Sequence, residues 1–371
     1  MKKKVFIAFL GNALHDSRIT NLKDSLEADG CEVKVISFDW TTQNFKTIIN
    51  DITIYKLNKS KFSFLFYFSF AVKLWKSLKL SNADIYIAED FFPLAFTTII
   101  GRRKNSKVIY NSRELYPFLG GLRNKKFTQW LIKKIEKKYI KKVDLVLTTG
   151  EMDSKFLEDY YGIKNTMVLR NIPLLRKPGN KIDLRKLLNI PSSNKIVLYQ
   201  GVMIEGRGII RIISLLKELP NIEFVLLGDG ALRKEFERAA IKYKVSDRIH
   251  FLGTIPQREL MNYTSAADIG LALIENISIS YYHALPNKLF EYIMAGIPVL
   301  SSNLPQMEKI VNDYQVGIIV DEKDDSQILA GLKKLTEDGD FNSRLKENCA
   351  KASLELNWDK EYSRVKDRLL S

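Results

Sequence analysis

The sequence predicts an α/β protein made of two doubly wound parallel-sheet domains, each large enough for its own core. Short β-branched runs alternate with helical patterns along the whole chain, the signature of parallel strands joined by crossover helices. At 371 residues the chain is longer than one core comfortably fills. Between two sets of such runs lies NIPLLRKPGNKIDLRKLLNIPSSN, Asn171 to Asn194, rich in Pro, Asn and Ser and suited to a linker. The expected division is a first domain over 1–172, a second over 173–353 and a closing helix over 354–371.

In the first domain the candidate strands are 4–10, 32–38, 52–57, 84–90, 107–115, 145–150 and 166–171. In the second they are 195–201, 223–230, 249–253, 269–274, 297–302 and 317–321. Ligands of such sheets sit in the crevice beyond the carboxyl ends of the strands. The loops there carry Gly11, Asn12, His15, Asp16 and Arg18 after the first strand, Glu89 and Asp90 after the fourth, and Arg113 and Glu114 after the fifth. All would face one cleft, although each taken singly also suits an ordinary loop charge.

The second domain offers Arg207 between Gly206 and Gly208. Glycines let backbone approach a ligand closely, and a guanidinium pairs bidentately with phosphate. Gly228, Asp229 and Gly230 form a strand-to-helix junction that needs small residues with or without a ligand.

The segment LPNKLFEYIMAGIPVLSS, Leu285 to Ser302, reads as a helix aimed at an anion. Pro286 suits the first turn, Gly296 the stop, and Pro298 forbids continuation. The free N–H groups of a first turn, with their partial positive charge, suit a phosphate. Glu291 follows Pro286 by five residues, about 7.5 Å along the axis at about 1.5 Å per residue. A carboxylate there could accept hydrogen bonds from ribose hydroxyls without opposing the phosphate. A core helix with Glu291 as a surface charge fits the same pattern.

Composition narrows the class. Cys31 and Cys349 are too few and too distant for a disulfide framework, and no Cys/His cluster offers a metal site, which fits a reducing compartment. The basic, briefly apolar N-terminus lacks a small-residue cleavage site and reads as a first strand. The net charge of +15 is uneven: residues 1–172 hold 30 Lys and Arg against 17 Asp and Glu, and 173–371 hold 28 against 26. Such a first half suits a polyanionic surface.

Nine basic residues and one acid, Glu136, lie between Arg123 and Lys142, with Phe127, Trp130, Leu131, Ile135 and Tyr139 at helical spacing. Upstream, 61–80 is the most aromatic stretch, and its uncharged run is far shorter than the ~20 residues a bilayer needs. Aromatic residues beside Lys73, Lys76 and Lys79 suit a helix in the plane of an anionic membrane surface. A solvated basic face for the first pattern and a buried helix covering a sheet for the second are the alternative explanations. No recognition motif for nucleic acid accompanies them.

The order YQGVMIEGRG, EFVLLGDGALRKEFERAA, DRIHFLGTIPQREL and LPNKLFEYIMAGIPVLSS resembles the donor domain of the retaining family 4 glycosyltransferases with the GT-B fold. The first half agrees through DSRITNLKDSLEADGCEVKVISF, ADIYIAED, VIYNSRELYP, VDLVLTTGE and VLRNIP, and the last segment resembles the family's closing helix, which crosses back to the first domain. The resemblance implies two Rossmann-like domains facing a cleft, with a UDP- or GDP-type nucleotide sugar held by the second. The acceptor, a saccharide or lipid-linked saccharide, would approach from the first.

Residue by residue, it implies Glu291 on the ribose, Arg207 and Lys288 on the diphosphate, and Asn287 with Pro286 and Leu289 at the diphosphate-facing helix start. Gly201, Gly228 and Gly230 would line the donor, and Gly253, Thr254 and Ile255 would read the nucleobase edge. Asn171 matches an interdomain asparagine. His283 stands eight residues before Glu291, where the family's E-x7-E motif has its first glutamate; members of the PNK-FEY type lack it too. Val202 replaces an arginine, Glu89-Asp90 replaces His-Asp, and Arg113 replaces a histidine. The implied reaction is metal-independent sugar transfer with retention. The basic first domain and the aromatic, Lys-flanked helix suit an enzyme peripheral to the inner, cytoplasmic face of the plasma membrane, extending a lipid-linked saccharide in cell-surface polysaccharide synthesis. Two other readings are a non-catalytic subunit that binds a nucleotide sugar or glycan, and a sugar-nucleotide epimerase on the same scaffold.

Overall fold

The computed structural model describes residues 2–40, 45–58, 63–176, 179 and 181–371. Lys61 and Phe62 of the aromatic stretch, and Lys177, Pro178 and Asn180 of the expected linker, lie outside the described residues. The chain divides into two compact units, Met1–Asn171 with Glu361–Ser371, and Ile172–Lys360.

The first unit is built on β1 (Lys4–Phe9), β2 (Glu32–Asp39), β3 (Lys46–Ile49), β4 (Ile52–Lys56), β5 (Ile85–Glu89), β6 (Lys107–Ser112), β7 (Leu145–Thr148) and β8 (Thr166–Val168). Their order in the sheet is β3-β4-β2-β1-β5-β6-β7-β8. Every pairing is parallel except β3 with β4. Strands buried on both faces read as continuous apolar runs, as Val5, Phe6, Ile7 and Ala8 do. The strand order reverses between β1 and β5, which places the crevice beyond their carboxyl ends.

Helices Ser63–Leu80, Phe91–Arg103 and Lys126–Ile140 lie side by side on one face, the middle one packed against both others. Phe70, Leu74 and Leu78 pack with Phe6, Ala8 and Tyr86, while Leu94 and Ile140 pack with Val108 and Tyr110. From Glu361 onward the last helix, Trp358–Leu370, belongs to this unit, where Tyr362 and Lys366 both bond the Asp29 carboxylate.

β3 is absent from the sequence reading. It is a mostly exposed edge strand, so no alternation of buried and exposed residues marks it. Its hairpin turns at Asn50 and Asp51, whose φ values are 47° and 60°, the left-handed pair of a two-residue hairpin turn made without glycine. The expected strand 107–115 ends at Ser112, because the chain then turns into the short 3-10 segment Tyr116–Phe118 around Pro117.

The second unit carries β9 (Lys195–Gln200), β10 (Ile222–Leu227), β11 (Ile249–Gly253), β12 (Ile269–Ala272), β13 (Val299–Ser302) and β14 (Gly317–Val320), all parallel, in the order β11-β10-β9-β12-β13-β14. Successive residues of β9 face opposite cores. Val197 and Tyr199 pack with Ile209, Ile212 and Phe224, and Ile196 and Leu198 pack with Leu289, Phe290, Tyr292 and Ile293. The order reverses between β9 and β12, so the loop after β9 and the helix between β12 and β13 meet at the switch point.

Candidate functional site

The helix Asn287–Met294 packs Leu289, Phe290, Tyr292 and Ile293 into the core, and Gly296 at φ 73° ends it. Pro286 is not in the first turn; it precedes the helix with extended backbone, and no side chain caps the helix start. The exposed Asn287 and the buried Lys288 open it. Leu289, expected on the donor, is fully buried, and its N–H already bonds Pro286 O at 3.1 Å. It leaves the ligand-facing set.

Lys288 is 8% exposed, and among the described residues its Nζ has no hydrogen-bond partner. The ammonium lies 3.6 Å from the centre of the Tyr199 ring, and a Cβ built on Gly201 would stand 3.6 Å from it. Burial pushes its pKa well below the usual lysine range, the Arg207 charge pushes the same way, and Glu291 opposes both. Arg207 lies over Tyr281 with 4.9 Å from guanidinium to ring centre, and among the described residues it has no carboxylate partner. Two cations that no carboxylate among the described residues contacts, beside an uncapped helix start, form a preformed place for a polyanion.

Glu291 is not a surface charge. It is half-buried and accepts hydrogen bonds from Gln200 on one oxygen and from Gln257 Nε2, at 3.2 Å, on the other. Burial raises its pKa, opposed by those two amides and by Lys288. Gln200 is buried, and its Oε1 accepts from Thr264 Oγ1 at 2.7 Å, which turns the amide nitrogen toward Glu291. The backbone N–H of Gln200 bonds the Tyr292 hydroxyl at 3.0 Å, and that hydroxyl also reaches Leu271 O at 3.2 Å, tying the helix to β9 and β12. Neither Gln200 nor Gln257 stands out in the sequence. The only signal is positional, Gln200 being the last residue of the strand before a candidate loop.

The glycines need glycine mostly for the protein's own packing. A Cβ on Gly228 would lie 2.0 Å from Gly201 O, and one on Gly230 would lie 2.3 Å from Met203 O. Gly206 and Gly208, expected to admit a ligand, are left-handed at φ 78° and 66° and closed in by Tyr281, Ile277 and Leu273. Gly228 N–H bonds Gly253 O at 2.7 Å, so the loops after β9, β10 and β11 are laced together, with Thr254 exposed and Ile255 half-exposed beside them. His283 ends the short helix Ile279–Tyr282, and its carbonyl accepts from Gln306 at 2.6 Å.

In the first unit Arg18, Glu89, Asp90, Arg113 and Asp16 gather beyond β1, β5 and β6. Arg18 was expected to line a cleft, but at 1% exposure it is sealed in. Its Nη2 donates to Asn111 Oδ1 at 2.6 Å and Leu169 O at 2.9 Å, while Nε and Nη1 have no partner among the described residues. Burial, with the charge of Arg113, lowers its pKa to about 10. Glu89 is fully buried and takes both its bonds from Asn111 Nδ2, so it too lies behind the surface; burial raises its pKa against Arg113 and Arg18.

The accessible layer is Arg113, paired with Asp16 at 2.7 Å, and Asp90. Asp90 sits at φ 73° and ψ −179°, a region suited to glycine, and caps Phe91 N–H at 2.8 Å. Burial raises its pKa as well, opposed first by Arg113. Asn12 donates to Asp39 at 3.0 Å. His15 and Glu114 are exposed, and Gly11 and Asn171 are half-buried. Among the described residues no three His, Cys, Asp or Glu are grouped to hold a metal ion.

Comparison with known proteins gives two family matches. A model described as "Glycosyl transferases group 1" matches residues 180–352, and one described as "Glycosyltransferase Family 4" matches 17–171. Among curated relatives, the lipopolysaccharide core biosynthesis glycosyltransferase LpsE of Rhizobium meliloti is 26% identical over 163 residues, 44% of this chain and 46% of LpsE. The chain thus spans about half the length of that relative. A Campylobacter jejuni protein is 23% identical over 386 aligned positions, covering 100% of this chain and 97% of its own. Its name is GalNAc-alpha-(1->4)-GalNAc-alpha-(1->3)-diNAcBac-PP-undecaprenol alpha-1,4-N-acetyl-D-galactosaminyltransferase. Among solved structures, sucrose-phosphate synthase from Thermosynechococcus elongatus superposes with a TM-score of 0.78 at 18% identity, covering 98% of this chain and 97% of that one. Anabaena HepE in complex with UDP superposes at 0.71 and 15%, covering 100% and 99%. At these identities the structures speak for the fold.

Proposed function

The chain belongs to glycosyltransferase family 4 with the GT-B fold, and on that premise we propose that it moves a sugar from a UDP- or GDP-type nucleotide sugar to a saccharide or lipid-linked saccharide, with retention of configuration, in cell-surface polysaccharide synthesis. The observation that carries the proposal is the buried, unpartnered Lys288 ammonium next to Arg207 at an uncapped helix start, with Glu291 one turn behind. The helix start and the two cations take the diphosphate, and Glu291 takes the ribose. As the bond from sugar to diphosphate breaks, negative charge grows on the departing oxygen, and fixed cations and N–H dipoles stabilise it without reorganising. Metal is not required in this scheme, because Arg207 and Lys288 supply the charge a cation would bring.

The nucleotide and saccharide classes agree with the UDP bound in HepE and with the undecaprenol-linked saccharide in the Campylobacter protein's name. Screening UDP- and GDP-sugars for thermal stabilisation identifies the donor, and transfer is then measured with it. Arg207→Ala, Lys288→Ala and Glu291→Ala are each expected to slow transfer ten-fold or more, about 1.4 kcal/mol in barrier. Full turnover in a folded Glu291→Ala variant overturns the assignment. Nucleotide binding without hydrolysis or transfer by any donor would favour the non-catalytic reading.

The protein is also proposed to lie on an anionic membrane at a cytoplasmic face. No described helix is long and apolar enough to cross one. On the three-helix face of the first unit, Phe64, Leu65, Phe68, Phe127 and Trp130 are more than half exposed or at that mark. Glu136, the one acid of the basic helix, is buried against Tyr110 and Tyr161, so the outward side of that helix carries only basic charge. Failure to bind anionic vesicles at low salt removes this part.

A further inference from the structure

We propose that the groove between helices Ser63–Leu80 and Phe91–Arg103 holds one membrane phospholipid, its hydrocarbon on Trp75 and Phe96 and its phosphate headgroup between Lys76, Lys79 and Arg103. The proposal rests on the membrane reading above and narrows it to a site.

The groove has a volume of about 610 Å³ and is lined by Ala71, Val72, Trp75, Lys76, Lys79 and Phe96. That is within the ~300–1,000 Å³ of ordinary small-molecule sites. Its floor is apolar, with Trp75 and Phe96 edge to face at 6.4 Å between ring centres. Its rim is cationic: Lys79 Nζ and the Arg103 guanidinium both lie over the Trp75 ring, at 5.5 and 5.8 Å. Neither helix contains an Asp or a Glu, and among the described residues none of Lys76, Lys79 and Arg103 has a carboxylate partner.

Three cations around an apolar floor complement a molecule that is anionic at one end and hydrocarbon at the other. A chain leaving the groove along the same helix meets Val72, Phe68 and Phe64, which are 52%, 58% and 71% exposed. The groove is not the acceptor site. Tyr67, which stacks on Phe92 beside Asp90 at 5.3 Å, precedes Trp75 by eight residues, about 12 Å along the helix at about 1.5 Å per residue. The bound lipid would therefore orient the first unit on the membrane without entering the reaction.

The test is calorimetric titration of the full chain with dihexanoyl phosphatidylglycerol kept below its micelle concentration, with dihexanoyl phosphatidylcholine and inorganic phosphate as comparisons. The expected result is saturable one-site binding of the glycerol lipid, at least ten-fold weaker for the choline lipid. Lys76→Glu/Lys79→Glu and Trp75→Ala proteins, shown folded by circular dichroism, should each lose ten-fold or more. Equal binding of the two lipids, competition by phosphate at matching concentration, or unchanged affinity in the folded variants overturns the site. Wild-type protein that binds phosphatidylglycerol vesicles but not the short-chain lipid overturns the groove and keeps the membrane reading. Protein that binds the short-chain lipid but not vesicles keeps the groove and removes that reading.

Discussion

At Lys288 the empty protein carries a cost that a ligand can remove. A buried polar group with no partner costs about 1–3 kcal/mol, more when charged, and this ammonium has only an aromatic face beneath it. Lys288→Met is therefore expected to stabilise the ligand-free protein by about 1–3 kcal/mol while weakening UDP binding ten-fold or more; a loss of stability on denaturant unfolding would contradict this. The sign with pH follows. Burial depresses the pKa of Lys288 in the free protein, and a bound diphosphate favours its protonated form, so binding should take up a proton and weaken as pH rises through that depressed pKa. Calorimetry in buffers of different ionisation heat reads the uptake directly, and a binding heat independent of buffer would remove this account. Glu291 poses a different question, since Gln200 and Gln257 already bond its two oxygens. If those amides hold the carboxylate for a ribose, Gln200→Leu should weaken UDP several-fold and leave 2′-deoxy-UDP nearly unchanged; equal weakening of both would mean general damage to the strand end. Glu291, Arg207 and Lys288 were legible in the sequence because a motif surrounds them. Gln200 was not, because its partner lies 91 residues away and meets it only when β9 packs beside the helix.

At the scale of elements, thirteen of the fourteen strands among the described residues correspond to apolar runs visible in the sequence, since a strand covered by helices draws mostly on apolar residues. The exception, β3, is on the edge and exposed, which leaves its sequence free of pattern. Burial was likewise invisible for Arg18 and Glu89, charged residues that the sequence offers as surface groups and the fold seals in with Asn111. The loop glycines divide in the same way: their presence was legible, their reason was not. Gly228 adjoins Gly201 so closely that an added Cβ has nowhere to go, whereas Gly296 has open space and only a left-handed φ of 73°. Gly228→Ala is expected to cost about 3 kcal/mol or more and Gly296→Ala about 1 kcal/mol, a difference that chemical denaturation resolves; similar losses would mean that the φ angle alone decides. The basic helix has its own pH signature through Glu136. Burial raises its pKa to about 7, against the hydrogen bonds from Tyr161 and Tyr110. A carboxyl whose folded pKa exceeds its unfolded value stabilises fully below the unfolded value, and that contribution is lost as pH rises toward about 7. Glu136→Gln should flatten the fall in melting temperature across this interval, and an unchanged slope would assign the titration elsewhere.

At the scale of the whole chain, charge and site are separated. The first 172 residues hold 30 basic against 17 acidic residues, while Gln200, Arg207, Lys288 and Glu291 all belong to the unit Ile172–Lys360. A nucleotide that binds only the folded form stabilises what it touches by RT ln(1 + [L]/Kd), about 2.7 kcal/mol at 100 times Kd. For a unit of this size that is a rise of about 5–10 °C, at about 2–4 °C per kcal/mol. The basic unit should instead respond to anionic lipid and to salt, because its exposed charge is screened by ions. Hydrogen exchange on the intact protein separates the two responses. UDP is expected to protect the loop 201–208, residues 253–255 and the start of the helix Asn287–Met294 most strongly, and phosphatidylglycerol vesicles the helices Ser63–Leu80 and Lys126–Ile140. Protection by UDP concentrated instead around Asp16, Asp90 and Arg113 would place the nucleotide in the first unit and reverse the assignment of donor and acceptor sides.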